Sequence, residues 1–256
     1  MSRVLAPAKL TVSLRVTGVR GDGYHELDAE MVTLDLADEV VLDEGGAGLV
    51  VRAEPGVRHE GLPEAADNLV VRALAACGRT AGVRLTKRIP LGGGLGGGSA
   101  DAAAVLRWAG CDDLAVAARL GADVPFCVVG GRARVEGVGE RVTPLPFEDR
   151  DFLLLLPPFG VDTGAVYRAW DADPSDARPN GLEVAAQRVE PRLTAWRDAL
   201  GELTGRRPAL AGSGSTWFVE GGPPEAGTAS LPEMRRGGQV ARLVRARTVP
   251  AGWQGD

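Results

Sequence analysis

The sequence predicts an α+β fold, and three observations carry that prediction. Residues 9–17 alternate Leu10, Val12, Leu14 and Val16 with Thr11, Ser13, Arg15 and Thr17, the period of a strand with one buried face. A glycine-rich stretch from Pro90 to Asp101 stands between a strand-like run and an alanine-rich helical run. Strands and helices elsewhere follow one another without regular βαβ alternation.

The elements read in order as follows. Gly18 to Gly23 is a turn, and residues 31–36, 39–42 and 48–52 are further strands. Asp67 and Asn68 cap a helix whose Leu69, Val70, Ala73, Leu74 and Cys77 share one face. Residues 83–89 form the strand before the glycines and 102–108 the helix after them. Asp112 and Asp113 open a helix that Gly121 closes. A short apolar run at 126–129 precedes a hairpin across Gly137, Val138 and Gly139. Residues 153–156 make a buried strand ahead of Pro157 and Pro158, and a boundary falls near 144–150. Thr163 caps a helix running through Trp170, and the polar, proline-containing 171–179 is a loop. Leu193, Trp196 and Leu200 mark one face of another helix, and 239–248 is a late strand.

With 256 residues the chain makes one large domain or two small ones. It is 45% hydrophobic and 25% charged, ordinary for a globular protein. A net charge of −5 without a Lys/Arg cluster argues against nucleic acid as a partner. The start, Met1 to Ala6, lacks a long apolar segment, and no run approaches the ~20 residues of a membrane span, so no membrane partner is expected. Cys77, Cys111 and Cys127 are scattered in apolar or helical contexts and read as core thiols of a cytoplasmic protein. His25 and His59 are far apart, so no dedicated metal cluster is expected.

Six glycines fill seven positions around Leu95. Glycine lets backbone approach a ligand closely, and a glycine loop feeding a helix start presents free N–H groups and the positive end of a dipole. That combination suits phosphate. The spacing Gly92-x-Gly94-x-x-Gly97, with Asp112 downstream, matches the dinucleotide fingerprint, but so many glycines satisfy many templates. The Walker A pattern fails because no Gly-Lys-Ser/Thr follows. A plain flexible linker is the bland alternative, although Ser99 and Asp101 look like a helix start.

Around the loop stand Pro7-Ala8-Lys9-Leu10, Asp22-Gly23-Tyr24-His25-Glu26-Leu27, Leu120-Gly121-Ala122-Asp123-Val124-Pro125-Phe126 and Glu136-Gly137-Val138-Gly139-Glu140. Val166-Tyr167-Arg168-Ala169-Trp170, Asn180-Gly181-Leu182-Glu183 and Gly212-Ser213-Gly214 follow. In this order, from residue 3 to about 220, the set resembles the GHMP small-molecule kinases. The resemblance implies two lobes, an ATP-binding one at 1–147 like the ribosomal S5 domain 2 and a ferredoxin-like one at 148–256, with the active site between them. It implies ATP and Mg²⁺, and segment 22–27 implies an alcohol acceptor linked to cytidine diphosphate. A monomer or weak homodimer is expected.

The resemblance also implies roles. Pro90, Leu91, Gly92, Gly93, Gly94, Leu95, Gly96, Gly97, Gly98, Ser99 and Ala100 would wrap the ATP phosphates, with Ser99 offering its hydroxyl to phosphate or Mg²⁺. Asp123 would take the proton of the attacking hydroxyl, although locally it reads as a turn residue. Lys9 would stand beside it, although on a strand it reads as a solvated lysine. Tyr24 and Tyr167 would stack on cytosine and His25 would bond its polar edge; a packed turn aromatic and a core tyrosine are the alternatives. Thr11 would contact the acceptor. The family usually has Asn at that position and often a second serine where this chain has Ala100. The segment before Gly121 is shortened, and the tail after Gly221 is a poor helix former. Another GHMP kinase, acting on mevalonate, homoserine or a sugar, and a non-catalytic nucleotide-binding relative are the competing readings.

Overall fold

The structure, a computed structural model, describes residues 1–61, 65–221 and 233–255. Of the tail from Gly221 to Arg236, expected to be a poor helix former, residues 222–232 lie outside the described residues and Met234–Arg236 form a strand.

The chain opens with two long strands. β1 (Ser2–Val19) and β2 (His25–Asp43) form an antiparallel hairpin paired from Ser2 opposite Leu42 to Val19 opposite His25. The two strands expected at 31–36 and 39–42 are one. Ala37 and Asp38 between them pair with Pro7 and Ala6, so β1 carries β2 through the polar break. Then come β3 (Leu49–Ala53), α1 (Leu69–Ala76), β4 (Gly82–Lys87), α2 (Gly97–Trp108), α3 (Leu114–Leu120), α4 (Val124–Val129), β5 (Arg132–Gly137) and β6 (Arg141–Pro144). The far edge of β2 is shared, β5 taking Leu27 to Val32 and β4 taking Glu39 to Asp43. β3 lies parallel to β4, and β6 closes the expected hairpin with β5.

A second sheet follows. Its strands are β7 (Asp151–Leu156), β8 (Ala209–Leu210), β9 (Trp217–Glu220), β10 (Met234–Arg236) and β11 (Gln239–Arg247), in the order β10-β11-β7-β9-β8. Between β7 and β8 run α5 (Thr163–Ala172), α6 (Glu183–Val189) and α7 (Arg192–Thr204).

Helix ends follow their caps. Asn68 and Asp113 each accept a backbone N–H at the start of α1 and α3, as their side chains predict. At α5 the cap is Asp162, which accepts from Ala165 N at 2.5 Å. Thr163, expected in that role, bonds Ser213 instead, at 2.8 Å. The apolar run at 126–129 lies in α4, which Pro125 opens at a position where no N–H is needed.

Two cores hold the molecule. In one, α2 is enclosed by the first sheet, α1 and α4: Ala102, Ala103 and Ala104 point to different sides, are all completely buried, and let these neighbours lie close. In the other, the two sheets meet. Ala8, Leu10 and Leu34 from the first sheet pack with Phe152, Leu154 and Phe218 from the second. Leu95, the one interruption in the glycine run, is fully buried in this inter-sheet core. Burying a leucine contributes about 1.5–3 kcal/mol, so Leu95 pins the loop at its middle.

β1 takes part in both cores because of two of the three shifts in its register, those between Pro7 and Lys9 and between Thr11 and Ser13. The shift between Thr11 and Ser13 sets one extra residue in β1 and reverses which face the following side chains occupy, whereas that between Pro7 and Lys9 sets two extra residues in β2. Leu10 thus joins the inter-sheet core while Leu14 joins the core with α2.

Candidate active site

The two slips in β1 turn Lys9 and Thr11 into a cleft of about 680 Å³. It is walled by the glycine loop, the turn before β2, the turn before α4, the inner face of α5, and Gly212 and Ser213. Lys9 is not a solvated strand lysine. It is 5% exposed, and its Nζ lies 3.2 Å from Asp123 Oδ2 and donates to Thr11 Oγ1 at 3.0 Å. Its stem lies along Gly96, where a Cβ would come within 2.7 Å of Lys9 Cγ. Gly96 also has φ of +66°, so both space and backbone demand glycine there.

Asp123 does occupy a turn, between α3 and α4, but its carboxylate makes no cap bond. The turn is held by backbone, Val124 N donating to Gly121 O at 3.1 Å. The side chain, one-third exposed, is left to face Lys9 and the cleft.

The glycine loop is fixed at four points. Leu91 N donates to Arg58 O at 3.0 Å, Lys9 N to Leu95 O at 3.1 Å, Thr216 N to Gly93 O at 3.1 Å and Val161 N to Gly92 O at 3.4 Å. Gly94 meets the backbone of Ala211 and Gly214 so closely that a Cβ would collide with both. The loop ends at Gly96 and α2 begins at Gly97. The first intrahelical bond is Ala100 N to Gly96 O at 2.8 Å, so the N–H groups of Gly97, Gly98 and Ser99 remain without helical acceptors at the cleft. Twelve residues of helix dipole add positive potential there. Such an arrangement suits phosphate, and the linker alternative does not fit a loop so tethered. Nor does the dinucleotide template, since Asp112 is exposed on a turn outside the cleft wall.

Beneath the loop lies a group that sequence reasoning missed. Lys87, at the end of β4, is 3% exposed and pairs with both Asp38 and Asp101, the latter at 2.6 Å. Asp38 Oδ1 in turn accepts from Arg88 N at 2.5 Å and Ile89 N at 2.8 Å. The cluster ties β2, the end of β4 and the first turns of α2 together around the loop. Burial works against the Lys87 charge, but Asp101 and Asp38 outweigh it and hold the ammonium above the usual lysine range. Burial, with the neighbouring Asp38, pushes Asp101 up to about 8 against the pull of Lys87. The signal was present in the sequence: Lys87 continues the buried register of Val83 and Leu85.

At the other end of the cleft, Tyr24 stands on an Asx turn, 64% exposed. His25 is nearly covered. Its ring lies 4.5 Å from that of Tyr167 and edge-on to Trp170 at 5.8 Å, and Nε2 is 2.6 Å from Asp171 Oδ1. Tyr167 lines the cleft from α5, and burial, with Asp123 nearby, raises its hydroxyl well above the usual tyrosine range. Asn180, 2% exposed, donates to Leu210 O at 2.8 Å and Gly212 O at 2.7 Å, fixing the turn opposite Lys9. Among the described residues no three His, Cys, Asp or Glu side chains cluster as a metal site. Cys127, behind Asp123, is a buried thiol pushed up to about 12.

These features define a class. Residues 68–131 match the GHMP kinases N terminal domain family. The fold is shared with a mevalonate kinase of 11% identity, at a TM-score of 0.58 over 98% of this chain and 100% of that one. Closer similarity is more particular. The 4-diphosphocytidyl-2-C-methyl-D-erythritol kinase of Paracoccus denitrificans is 38% identical over 84% of this chain and 85% of its own. The enzyme of the same name from Methylibium petroleiphilum is 36% identical over 96% and 94%. A crystal structure of a 4-(cytidine 5'-diphospho)-2C-methyl-D-erythritol kinase, 37% identical, superposes with a TM-score of 0.68 over 85% of this chain and 89% of that one. The chain belongs to the 4-diphosphocytidyl-2-C-methyl-D-erythritol kinase family, within the two-lobed GHMP kinases.

Proposed function

We propose that this protein transfers the γ-phosphoryl group of ATP to the 2-hydroxyl of 4-diphosphocytidyl-2-C-methyl-D-erythritol, a step of non-mevalonate isoprenoid synthesis. The observation that carries the mechanism is the Lys9–Asp123 pair, 3.2 Å apart beside the free N–H groups that open α2. In this reading residues 90–100 hold the ATP phosphates, and Asp123 accepts the proton as the acceptor oxygen attacks phosphorus. The bond from phosphorus to the bridging oxygen breaks, and ADP leaves. Lys9 pairs with Asp123 and offsets charge on the transferring group.

Mg²⁺ suits this donor set. It is held by one or two carboxylates, substrate phosphates and water, and here Ser99 and Asp123 flank the phosphate cradle. Bound, it would neutralise phosphate charge. Tyr24, His25 and Tyr167 form the base site and Thr11 the acceptor side of the reacting centre. Residues 1–147 and 148–256 act as the two domains.

The test is an ATP-consumption assay with the cytidylated acceptor, run beside mevalonate and homoserine. Turnover confined to the cytidylated acceptor is expected. Turnover preferring an acceptor without cytidine would overturn the reading in favour of another GHMP kinase. Nucleotide binding without any transfer would overturn it in favour of a non-catalytic relative.

A further inference from the structure

We infer that Asp171 fixes the proton of His25 on Nε2 and so lets the cleft distinguish cytosine from uracil. The inference rests on the reading above that the acceptor's base lies at Tyr24, His25 and Tyr167.

His25 opens β2, and Asp171 stands in the last turn of α5, so their contact joins the hairpin to the second lobe. The Nε2 to Oδ1 separation is 2.6 Å. An ionised carboxylate only accepts hydrogen bonds, so at this distance the hydrogen is on Nε2. In the neutral ring Nδ1 is then a lone-pair acceptor. The ring is also held in place: Tyr167 covers one face at a tilt of 32°, Trp170 meets it edge-on, and Trp170 Nε1 donates to Ser175 O at 3.1 Å. Only 10% of the His25 side chain is exposed. Rotating the ring to exchange its nitrogens would break the Asp171 contact. No described group takes a hydrogen bond at Nδ1, and His25 lines the cleft.

Cytosine presents an amine donor at the position where uracil presents a carbonyl acceptor. Opposite an Nδ1 lone pair the amine forms a hydrogen bond, whereas the carbonyl sets two lone pairs against each other. A nearly buried acceptor left unpaired is what makes such a site reject the wrong analogue. Asp171 touches no substrate in this scheme. It is a positioning residue that sets the tautomer its neighbour presents.

The experiment compares wild type, Asp171→Ala and Asp171→Asn with ATP and two acceptors, the cytidine-linked substrate and its uridine-linked analogue. Wild type is expected to prefer the cytidine form. Asp171→Ala should narrow that preference by about tenfold or more, through the acceptor KM, with kcat and the ATP KM unchanged. Asp171→Asn can turn either its carbonyl or its amine toward Nε2, so it no longer fixes the tautomer and should narrow the preference as well. Competition by CDP against UDP reads the same ratio without turnover. An unchanged ratio in Asp171→Ala overturns the inference and leaves the kinase reading intact, as does a loss shared equally by both acceptors and ATP. A wild type that turns over both acceptors equally overturns the inference together with the base site. A wild type inactive on either overturns the proposed function as well.

Discussion

Two lysines of the first sheet are equally hidden, and they are built for different ends. Lys9 is 5% exposed and Lys87 is 3% exposed, so burial does not separate them. Their partners do. Lys9 faces one carboxylate, itself one-third exposed, and one hydroxyl. Lys87 faces two carboxylates that are 0% and 4% exposed. The first arrangement is charge-balanced and open on one side, where a substrate can enter. The second is closed and carries one negative charge too many, which Asp101 relieves by holding a proton to about pH 8. An ammonium with an accessible partner is equipped for chemistry; one saturated by buried partners is part of the scaffold that shapes the glycine loop.

The largest expected effect is on catalysis at the open pair. Asp123→Asn keeps the shape of the turn and removes the proposed base, so kcat should fall by about 10²–10⁴-fold. The melting temperature should stay close to that of wild type, because the Asp123 side chain caps nothing. Steady-state kinetics beside thermal melting checks both halves. A variant that melts early and keeps its activity would reverse the comparison.

The closed cluster should answer in stability instead. Lys87→Met leaves two buried carboxylates facing each other, and breaking a buried pair from one side costs about 3–5 kcal/mol. Urea unfolding reads that loss directly. An unfolding midpoint equal to that of wild type would mean the cluster is not under the strain its burial implies.

The contrast between the lysines was only half visible in the sequence. The alternation in 9–17 marks a strand correctly, yet it puts Lys9 on a polar face, because two register slips in β1 leave no local signature. Asp123 looked like a turn residue and is one; the role proposed for it was legible only from the motif around it. Leu95 read as a gap in the glycines, and its burial between the sheets depends on strands more than fifty residues away. Lys87 was recoverable, since its register with Val83 and Leu85 is buried. The His25–Asp171 contact spans 146 positions, which no periodicity encodes. Local rules found the elements and their caps. The pairings that aim side chains across the cleft are tertiary, and only the ordered motifs hinted at them.

A subtler effect separates the cluster's own members by pH. The Asp101 carboxyl is raised from 3.8 unfolded to about 8 folded, so between those values the folded state binds more protons than the unfolded one. Stability contributed by this group therefore falls as pH rises from about 4 to about 8, and levels off above. Asp101→Asn mimics the protonated acid at every pH. The melting temperature of wild type relative to Asp101→Asn should decline across that window. A flat difference would place the extra proton elsewhere.

The smallest effect tests how Lys9 is aimed. Thr11 is 2% exposed, and its hydroxyl oxygen accepts from Lys9 Nζ at 3.0 Å. Thr11→Val keeps the shape and deletes that acceptor. Losing a hydrogen bond to a charged group costs about 1.5–3 kcal/mol, part of which Asp123 recovers by holding the same ammonium. The expected outcome is a fall in kcat of about tenfold from the lost orientation of Lys9, with a smaller rise in the acceptor KM from the lost contact to the acceptor. A raised acceptor KM at constant kcat would mean instead that the hydroxyl grips the substrate. The open pair would then consist of Lys9 and Asp123 alone, with Thr11 belonging to the pocket they face.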